Sequence, residues 1–203
     1  ERVPTRYIEH NEVNNIKVNR KPPELIEAKK QFLADWTDKS ISDLESNPLF
    51  KAYREIHTQF DAYPDNISPA VENLYFRGIL QGKFPTISNV VDASNLVSVR
   101  TLIPIGVFEG DRIVGDVTLR LAVDDDAFIP IGKTKPINIE ENTPILEDGE
   151  RIISCIGVRD SNETKITKHT ENLLLFSWGN ELIAREKIKV TLVEAEIQIK
   201  QYC

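Results

Sequence analysis

The sequence predicts an α+β protein in which N-terminal helices precede a mostly antiparallel sheet of barrel-like or sandwich type. Up to about residue 102, apolar residues recur at helical spacing, whereas beyond Pro104 short apolar or alternating runs are separated by Gly, Asp, Asn and Pro. Helices followed by a block of short strands are typical of this fold class. With 203 residues, 40% of them hydrophobic, the chain is long enough to bury a core.

The expected helices are recognised by their first turns. A Pro-Pro pair at residues 22–23 opens the first one, because proline suits the first helical turn. Ser68, Pro69 and Glu72 combine a hydroxyl cap, a proline and an early glutamate, which predicts a helix running to about residue 82. Helical spacing also predicts helices over residues 40–45, 48–60 and 90–102.

The strands are expected in the second half of the chain, at short runs between turn residues. These runs cover residues 117–121, 127–131, 144–146, 152–158 and 173–178. A further short strand is expected over residues 13–18. Residues 181–201 fit both a strand and a helix, and their alternating charges and alanines favour the helix. We therefore expect an N-terminal helical portion, residues 1–67, packed on a core domain, residues 68–203.

The net charge of −7 limits the partners that the chain is expected to bind. Residues 61–150 carry fifteen acidic and seven basic side chains and hold the whole negative excess. Binding to a phosphate backbone usually needs a basic stripe, so any RNA contact is expected to be local or to go through a partner protein, and no DNA partner is expected. The sequence contains no run of about 18 apolar residues, so no membrane span is expected. The first residues lack a basic-then-apolar signal, which favours a cytoplasmic protein.

Several motifs that carry catalysis or metal binding are absent from the sequence. It has no phosphate-binding glycine loop, no nucleophile elbow and no His/Cys spacing typical of a metal site, so neither a cofactor nor a metal is expected. Cys155 lies in an apolar run and Cys203 is the last residue, which favours a structural role for Cys155. An apolar pocket with a few polar groups, the usual design of a small-ligand site, fits the sequence better.

Four segments of the chain occur in an order found in one known domain. They are Asn89-Val90-Val91-Asp92-Ala93-Ser94-Asn95, Pro104-Ile105-Gly106-Val107-Phe108-Glu109, Gly157-Val158-Arg159-Asp160-Ser161 and Thr170-Glu171-Asn172-Leu173-Leu174-Leu175. Between residues 89 and 178 the chain resembles the B3/B4 domain of the phenylalanyl-tRNA synthetase beta subunit, and it is similar to free-standing proteins of B3/B4 type. The resemblance implies a B3/B4-type sheet over about half of the chain.

In that synthetase, the domain hydrolyses tyrosine wrongly attached to the phenylalanine tRNA, and a histidine and a glutamate help to position the amino acid. By the resemblance, the histidine falls on Gly106 and the glutamate on Phe176, so both polar groups are lost. The family implies recognition of an amino acid or an aminoacyl-tRNA end, with a synthetase as a further partner. The reaction that the family implies is deacylation of mischarged tRNA, which would make the chain an editing enzyme that acts in trans. Ligase activity of the chain alone is not expected. The alternatives are a non-catalytic recognition module and a protein or enzyme that uses the same pocket for small molecules unrelated to tRNA.

The candidate site residues lie in or near the four segments. Arg159 is suited to bidentate binding of a carboxylate, and adjacent Arg159 and Asp160 point to opposite faces of a strand. His169 and Asp160 are candidates for acid–base catalysis. The candidate substrate-binding residues are Asn95, Gly106, Glu109, Arg159, Asp160, Thr167 and Phe176.

Several of the candidates also have a structural alternative. Residues 159–161 suit a loop held by local hydrogen bonds, His169 suits an exposed position, and Asn95 suits a contact between a helix and the sheet. His10 and His57 are interpreted as incidental residues of the N-terminal helical portion.

Overall fold

The computed structural model of the protein describes residues 6–20, 22–36, 38, 40–58 and 70–203. Its strands are β1 (Arg6–Val13), β2 (Gly106–Glu109), β3 (Thr118–Leu121), β4 (Ala127–Phe128), β5 (Ile137–Asn138), β6 (Pro144–Glu147), β7 (Ile152–Cys155), β8 (Arg159–Asp160) and β9 (Leu173–Asn180). Its helices are α1 (Pro23–Asp35), α2 (Ile41–Ser46), α3 (Pro48–Thr58), α4 (Ala70–Tyr75), α5 (Asn89–Thr101) and α6 (Arg185–Tyr202). This combination of helices and antiparallel sheets confirms the predicted α+β class.

Local capping explains where two of the helices begin. The Ser40 hydroxyl accepts a hydrogen bond from the Asp43 N–H at 3.3 Å, and the Asp43 carboxylate accepts one from the Ser40 N–H at 2.7 Å, which starts α2. The Ser88 hydroxyl accepts from the Val91 N–H at 3.3 Å at the start of α5. The predicted cap at residues 68–69 lies outside the described residues. The helix expected there is described as α4 followed by the π-helical turn Phe76–Leu80.

The described strands form three antiparallel sheets. The first sheet has the order β1-β9-β2, the second has the order β3-β6-β7-β8, and β4 and β5 form the third. These sheets are not closed into a barrel, so the structure favours the sandwich form over the barrel form of the prediction.

The N-terminal strand corrects the predicted one. The prediction of a strand over residues 13–18 is wrong, because the strand is β1 and ends at Val13. β1 pairs with β9 over its whole length, from Arg6 opposite Asn180 to Val13 opposite Leu173. Eight consecutive backbone pairings outweigh the weak strand preference of this polar segment. His10 therefore lies on a strand and not in a helical portion, while the predicted domain boundary at residue 67 falls outside the described residues.

The main core forms around β9, whose eight residues are all buried. α6 packs against both β1 and β9 and buries Ile188, Leu192, Ala195 and Ile199 at helical spacing, which confirms the helix predicted for this segment. Complete burial of an Ile or Leu side chain stabilises a fold by about 1.5–3 kcal/mol. Among the described helices, none has the length and apolar character needed to cross a membrane.

Buried polar side chains fasten α5 to its neighbours. The Lys29 ammonium of α1 donates to the Asp92 carboxylate at 2.8 Å and to the Pro85 carbonyl at 2.5 Å. Both Lys29 and Asp92 are buried. The Asn89 amide donates to the Lys17 carbonyl at 2.7 Å and to the Tyr202 carbonyl at 3.0 Å. Asp92 thus buttresses a helix, and Asn89 ties α5 to both the N-terminal segment and the last helix.

Candidate functional site

Gly106 and Phe176 are direct neighbours across the first sheet. The register of β2 and β9 sets Gly106 opposite Phe176. The phenyl ring covers the glycine so closely that a Cβ placed on Gly106 would lie 1.7 Å from the ring carbon Cε1. The same ring stacks on Phe108, with 5.0 Å between centroids and 9° between planes. Phe176 therefore fills the room left by the missing side chain at position 106, and neither residue supplies a polar group.

A cavity of about 610 Å³ opens beside the Phe176 ring. Its walls are formed by β1, by β9 with Asn172 before it, and by the turn that connects β2 to β3. The lining residues are Ile8, His10, Glu12, Asn14, Gly110, Asp111, Ile113, Gly115, Asp116, Val117, Asn172, Leu173, Leu174 and Phe176. The volume lies within the range of about 300–1,000 Å³ that is usual for small-ligand pockets.

The register of β1 against β9 decides which side chains reach this cavity. His10 lies opposite Phe176, and Glu12 lies opposite Leu174. Residues directly opposite in an antiparallel pair share a face of the sheet, so His10 and Glu12 stand on the same face as Phe176. Both polar side chains are exposed. Together with Phe176 they give the cavity an apolar floor with a polar wall.

The turn that connects β2 to β3 is held by Asn172, which directly precedes β9. Its amide nitrogen donates to the two carboxylate oxygens of Asp111 at 2.8 and 3.0 Å. The backbone carbonyl of Asn172 accepts from the Gly110 N–H at 2.7 Å. Gly110 suits this close approach, because a Cβ there would lie 3.2 Å from the backbone of Asn172 and Leu173. These contacts place one carboxylate, that of Asp111, at a defined position of the rim.

The ionisable side chains around the cavity are mainly acidic. Glu12, Asp111 and Asp116 line it together with His10, and the lining set of this cavity contains neither Lys nor Arg. Carboxylates attract an ammonium group and repel phosphate, and both effects weaken with salt at an exposed site. The charge of the cavity therefore favours a ligand that carries a positive group.

Of the predicted site residues, Phe176 lines the cavity and Gly106 lies directly against its ring. The other predicted site residues are not among the lining residues. Gly106 lies under the Phe176 ring that forms the floor. Asn95 lies half-buried on α5 and is not a lining residue. Glu109 is buried and accepts from the Arg112 guanidinium at 3.0 Å, so its carboxylate is already paired. Their roles in substrate binding stay predictions.

Arg159 and Asp160 belong to the second sheet. The Arg159 guanidinium donates to the Ile131 carbonyl at 3.1 Å, and the Asp160 carboxylate accepts from the Ser154 hydroxyl at 2.8 Å. As expected for neighbours on a strand, the two side chains do not pair with each other. Burial raises the pKa of Asp160, and the Ser154 hydrogen bond partly offsets this shift. Neither residue lines the cavity beside Phe176.

The segment around His169 is tied by local hydrogen bonds. The Thr170 hydroxyl accepts from the Thr167 N–H at 2.9 Å, and the Thr167 hydroxyl accepts from the His169 N–H at 3.2 Å. The His169 side chain is exposed. This arrangement agrees with the structural alternative for His169, although catalysis by His169 and substrate binding by Thr167 stay predictions.

A second cavity, of about 520 Å³, surrounds Arg120. Its lining is mainly acidic, and the Arg120 guanidinium binds two of its carboxylates, Asp126 at 2.6 Å and Glu147 at 2.7 Å. The hydrogen bond from Arg120 lowers the pKa of Asp126. A search of the described residues finds no group of three His, Cys, Asp or Glu side chains that could hold a metal ion. We interpret the ion pairs of Arg120 in this cavity as a charge network at the protein surface.

The sequence interpretation missed His10 and Glu12 as residues of the main cavity. The polar run around them carries few strand-forming residues and shows no apolar–polar alternation. Their place on the cavity wall depends on pairing with β9, more than 150 residues later in the chain. No local signal specifies that pairing.

Residues 52–197 match the profile of the B3/4 domain family. The phenylalanine–tRNA ligase beta subunit of Mycoplasmoides gallisepticum is 31% identical over 100 residues, which cover 49% of this chain and 12% of that protein. The same subunit of Ehrlichia ruminantium (strain Gardel) is 26% identical over 142 residues, covering 62% of this chain and 18% of that protein. The chain thus spans less than a fifth of the length of these relatives.

Among solved structures, an N-terminal fragment of the phenylalanyl-tRNA synthetase beta subunit from Pyrococcus horikoshii is similar to this chain. The sequence identity is 18%, and the TM-score is 0.48 over 56% of this chain and 40% of that chain. The family match begins within α3 and ends within α6, so β1 lies outside it.

Proposed function

This chain belongs to the B3/4 domain family, and we propose that it binds an amino acid or the aminoacyl end of a tRNA in the cavity beside Phe176. The observation that carries this proposal is a ligand-sized cavity on the face of the sheet where Gly106 and Phe176 meet. The relatives with matching segments are beta subunits of phenylalanine–tRNA ligase, which makes the amino acid and its tRNA ester the first ligands to consider.

The shape and chemistry of the cavity support an amino-acid ligand. Phe176 and Leu174 on the floor, with Ile113 and Val117 at the turn, offer an apolar surface to a side chain. Glu12 and the other rim carboxylates offer acceptors to an ammonium group. An apolar site with a few converging polar groups is the usual design for small-ligand recognition.

Recognition is the primary activity that we propose, and hydrolysis of mischarged tRNA in trans is a further step that builds on it. At positions 106 and 176 a glycine and a phenyl ring offer no side chain that could hold a water molecule. Any hydrolysis would therefore depend on other groups at the cavity or on the hydroxyls of the tRNA end. The proposed setting is cytoplasmic, with an aminoacyl-tRNA or a synthetase as the partner.

Isothermal titration calorimetry of the full chain tests binding. Phenylalanine, tyrosine, their methyl esters and total aminoacyl-tRNA are titrated into the wild type, into Asn14→Trp and into Val190→Trp. Asn14 is an exposed residue of the cavity wall, whereas Val190 is 59% exposed on α6. The proposal predicts heat in the wild type and in Val190→Trp, and a much weaker signal in Asn14→Trp, where an indole narrows the cavity. Absence of heat with every ligand would contradict it.

A deacylation assay tests the second step. Purified protein is mixed at high concentration with a panel of mischarged tRNAs, and the loss of esterified amino acid is followed. Hydrolysis that is reduced in Asn14→Trp and kept in Val190→Trp would support editing in trans. Binding without hydrolysis would leave a recognition module.

A second candidate function is binding or conversion of a small molecule unrelated to tRNA. The observation in its favour is the acidic rim of the cavity, because an RNA backbone is unfavourable next to Glu12, Asp111 and Asp116. A thermal-shift screen of small amines discriminates between the two functions, since a tight ligand raises Tm by mass action. A strong shift with an amine, together with no binding of aminoacyl-tRNA, would favour this second function.

A further inference from the structure

We propose that β1 makes the cavity selective for amines, with the Glu12 carboxylate binding the ammonium group of the ligand and the His10 imidazole contacting its carboxyl or ester end. The ligand is a small molecule with an ammonium group on an apolar body, which lies against Phe176 and Leu174. The inference rests on the proposed function, because it names the groups that would recognise an amino acid in that same cavity.

The first support is the placement of the two side chains. His10 and Glu12 are two residues apart on β1, so they lie on one face with their Cα atoms about 7 Å apart. The register sets them beside Phe176 and Leu174, the apolar floor of the cavity. An amino acid whose side chain lies on that floor would turn its polar end towards the β1 wall.

The second support is the contrast between the two faces of β1. On the face towards α6, the Tyr7 hydroxyl donates to the Ile183 carbonyl at 2.5 Å, Glu9 pairs with Arg185, and the Asn11 amide donates to Glu196 at 3.3 Å. These polar groups are used within the fold.

On the cavity face the polar groups have no such partners. Within the described part of the chain, neither the imidazole of His10 nor the carboxylate of Glu12 has a hydrogen bond or an ion pair, and the same is true of Asp116 across the cavity. Asp111 differs, since Asn172 already donates to both of its oxygens. Glu12 is therefore the carboxylate of β1 with its full accepting capacity available to a ligand.

The third support is the charge of the cavity. No Lys or Arg occurs among its lining residues, so no internal cation competes for the Glu12 carboxylate. A hydrogen bond between an ammonium and a carboxylate is stronger than one between neutral groups. An acylated amine lacks that positive charge, which makes acylation of the ligand the sharpest probe of this contact.

His10 and Glu12 lie outside the segment of this chain that matches the family. The family match covers residues 52–197, whereas His10 and Glu12 lie on β1. Inside the match, positions 106 and 176 contribute a glycine and a phenyl ring. The selectivity of the cavity therefore comes from a strand outside the family-matched segment, and the ligand preference of the relatives does not transfer directly.

Calorimetry with paired ligands and paired variants tests the inference. Phenylalanine methyl ester and N-acetylphenylalanine methyl ester are titrated into the wild type, Glu12→Gln and Glu9→Gln. Glu9→Gln is the matched control, since it makes the same charge change on the other face of the same strand. We expect Glu12→Gln to weaken binding of the free amine by about tenfold or more, as for loss of a hydrogen bond to a charged group, and Glu9→Gln to bind like the wild type.

The acylated ester is expected to bind the wild type weakly and to be insensitive to Glu12→Gln. His10→Ala is expected to weaken both esters by a similar factor, because the carboxyl end is the same in both. Equal binding of the free and acylated esters, or an unchanged affinity in Glu12→Gln, would overturn the role of β1 while leaving the proposed function intact. No binding of either ester, of the free amino acids or of aminoacyl-tRNA would instead remove the proposed function itself. Circular dichroism of each variant checks that the fold is unchanged, which matters most for Glu9→Gln, because that substitution removes the charge that pairs with Arg185.

Discussion

Gly106→Ala is expected to destabilise the protein, because Phe176 already occupies the space that a side chain at position 106 would need. The added Cβ would lie 1.7 Å from Cε1 of the ring and 2.5 Å from each of two further ring carbons. Carbon atoms in contact prefer about 3.5–4.0 Å, so the ring must move by about 2 Å. That movement disturbs its stacking on Phe108, whose ring centroid is 5.0 Å away. Overpacking of this kind lowers the free energy of unfolding by about 1–3 kcal/mol.

Once the Phe176 ring is removed, Gly106→Ala is expected to raise the free energy of unfolding instead of lowering it. Phe176→Ala alone should cost about 3–5 kcal/mol, since Phe176 is 5% exposed in the core. Gly106 does not have a positive φ, so in the Phe176→Ala background an alanine there fits the backbone and restricts the unfolded chain. That restriction stabilises the fold by about 0.4–1 kcal/mol. A double-mutant cycle of Gly106→Ala and Phe176→Ala is therefore expected to give a coupling free energy of at least about 1 kcal/mol between the two positions.

Urea unfolding of the four proteins in this cycle measures the coupling, provided that the slopes with denaturant agree. Phe128→Ala supplies the control, because Phe128 is 4% exposed in a separate core cluster and should combine additively with Gly106→Ala. If Gly106→Ala also combines additively with Phe176→Ala, the ring does not occupy the space at position 106 and the explanation of the cavity floor is wrong.

Three further perturbations test buried polar groups. Lys29→Ala leaves the buried Asp92 carboxylate without its cation and should lower the free energy of unfolding by about 3–5 kcal/mol, whereas Lys30→Ala, at an exposed site, should change it little in the same urea assay. Burial raises the pKa of Asp160, so above the unfolded pKa of about 3.9 the folded state keeps a proton that the unfolded chain has lost. Wild-type stability should therefore fall relative to Asp160→Asn as the pH rises from about 4, and a growing wild-type advantage would contradict this. Burial raises the pKa of the Cys155 thiol to about 12, so iodoacetamide at pH 8 should label it in urea and not in the folded protein, as read by mass spectrometry.

The helices were predictable because their signals are local. The proline pair at residues 22–23 and the apolar spacing of residues 90–102 each act within a few residues of the helix that they start or support. The choice of a helix for residues 181–201 is confirmed by α6, whose buried residues recur at helical spacing and pack against the sheet and α5. Helix formation depends on residues within a few positions of one another, so the local sequence is enough to predict it.

The strands after Pro104 were placed approximately. β6 and β9 extend beyond the runs predicted at 144–146 and 173–178, whereas other strands are shorter than predicted. The run predicted at residues 152–158 is strand only over Ile152–Cys155, and the run at 127–131 only over Ala127–Phe128. Strand ends depend on where a partner strand stops offering hydrogen bonds. That partner is far away in sequence, so apolar pattern alone does not determine the ends.

Some of the candidate site residues come together in the structure, and others do not. Sequence and resemblance singled out Gly106 and Phe176, and the structure places them face to face in one pair of strands. They also singled out Arg159 and Asp160, which lie in another sheet with partners of their own. A list of polar residues near a motif does not reveal which sheet each of them joins, because that depends on strand order.

By itself, the sequence determined the α+β class and the positions of most helices, and its family resemblance singled out positions 106 and 176. Only the tertiary structure decided that β1 runs beside β9 and turns His10 and Glu12 towards the cavity. The physical reason is the two-residue period of a strand: a shift of one residue in the register would exchange His10 and Glu12 for residues that now face α6. That register is set by pairing between strands more than 150 residues apart in the chain, and no local pattern encodes it.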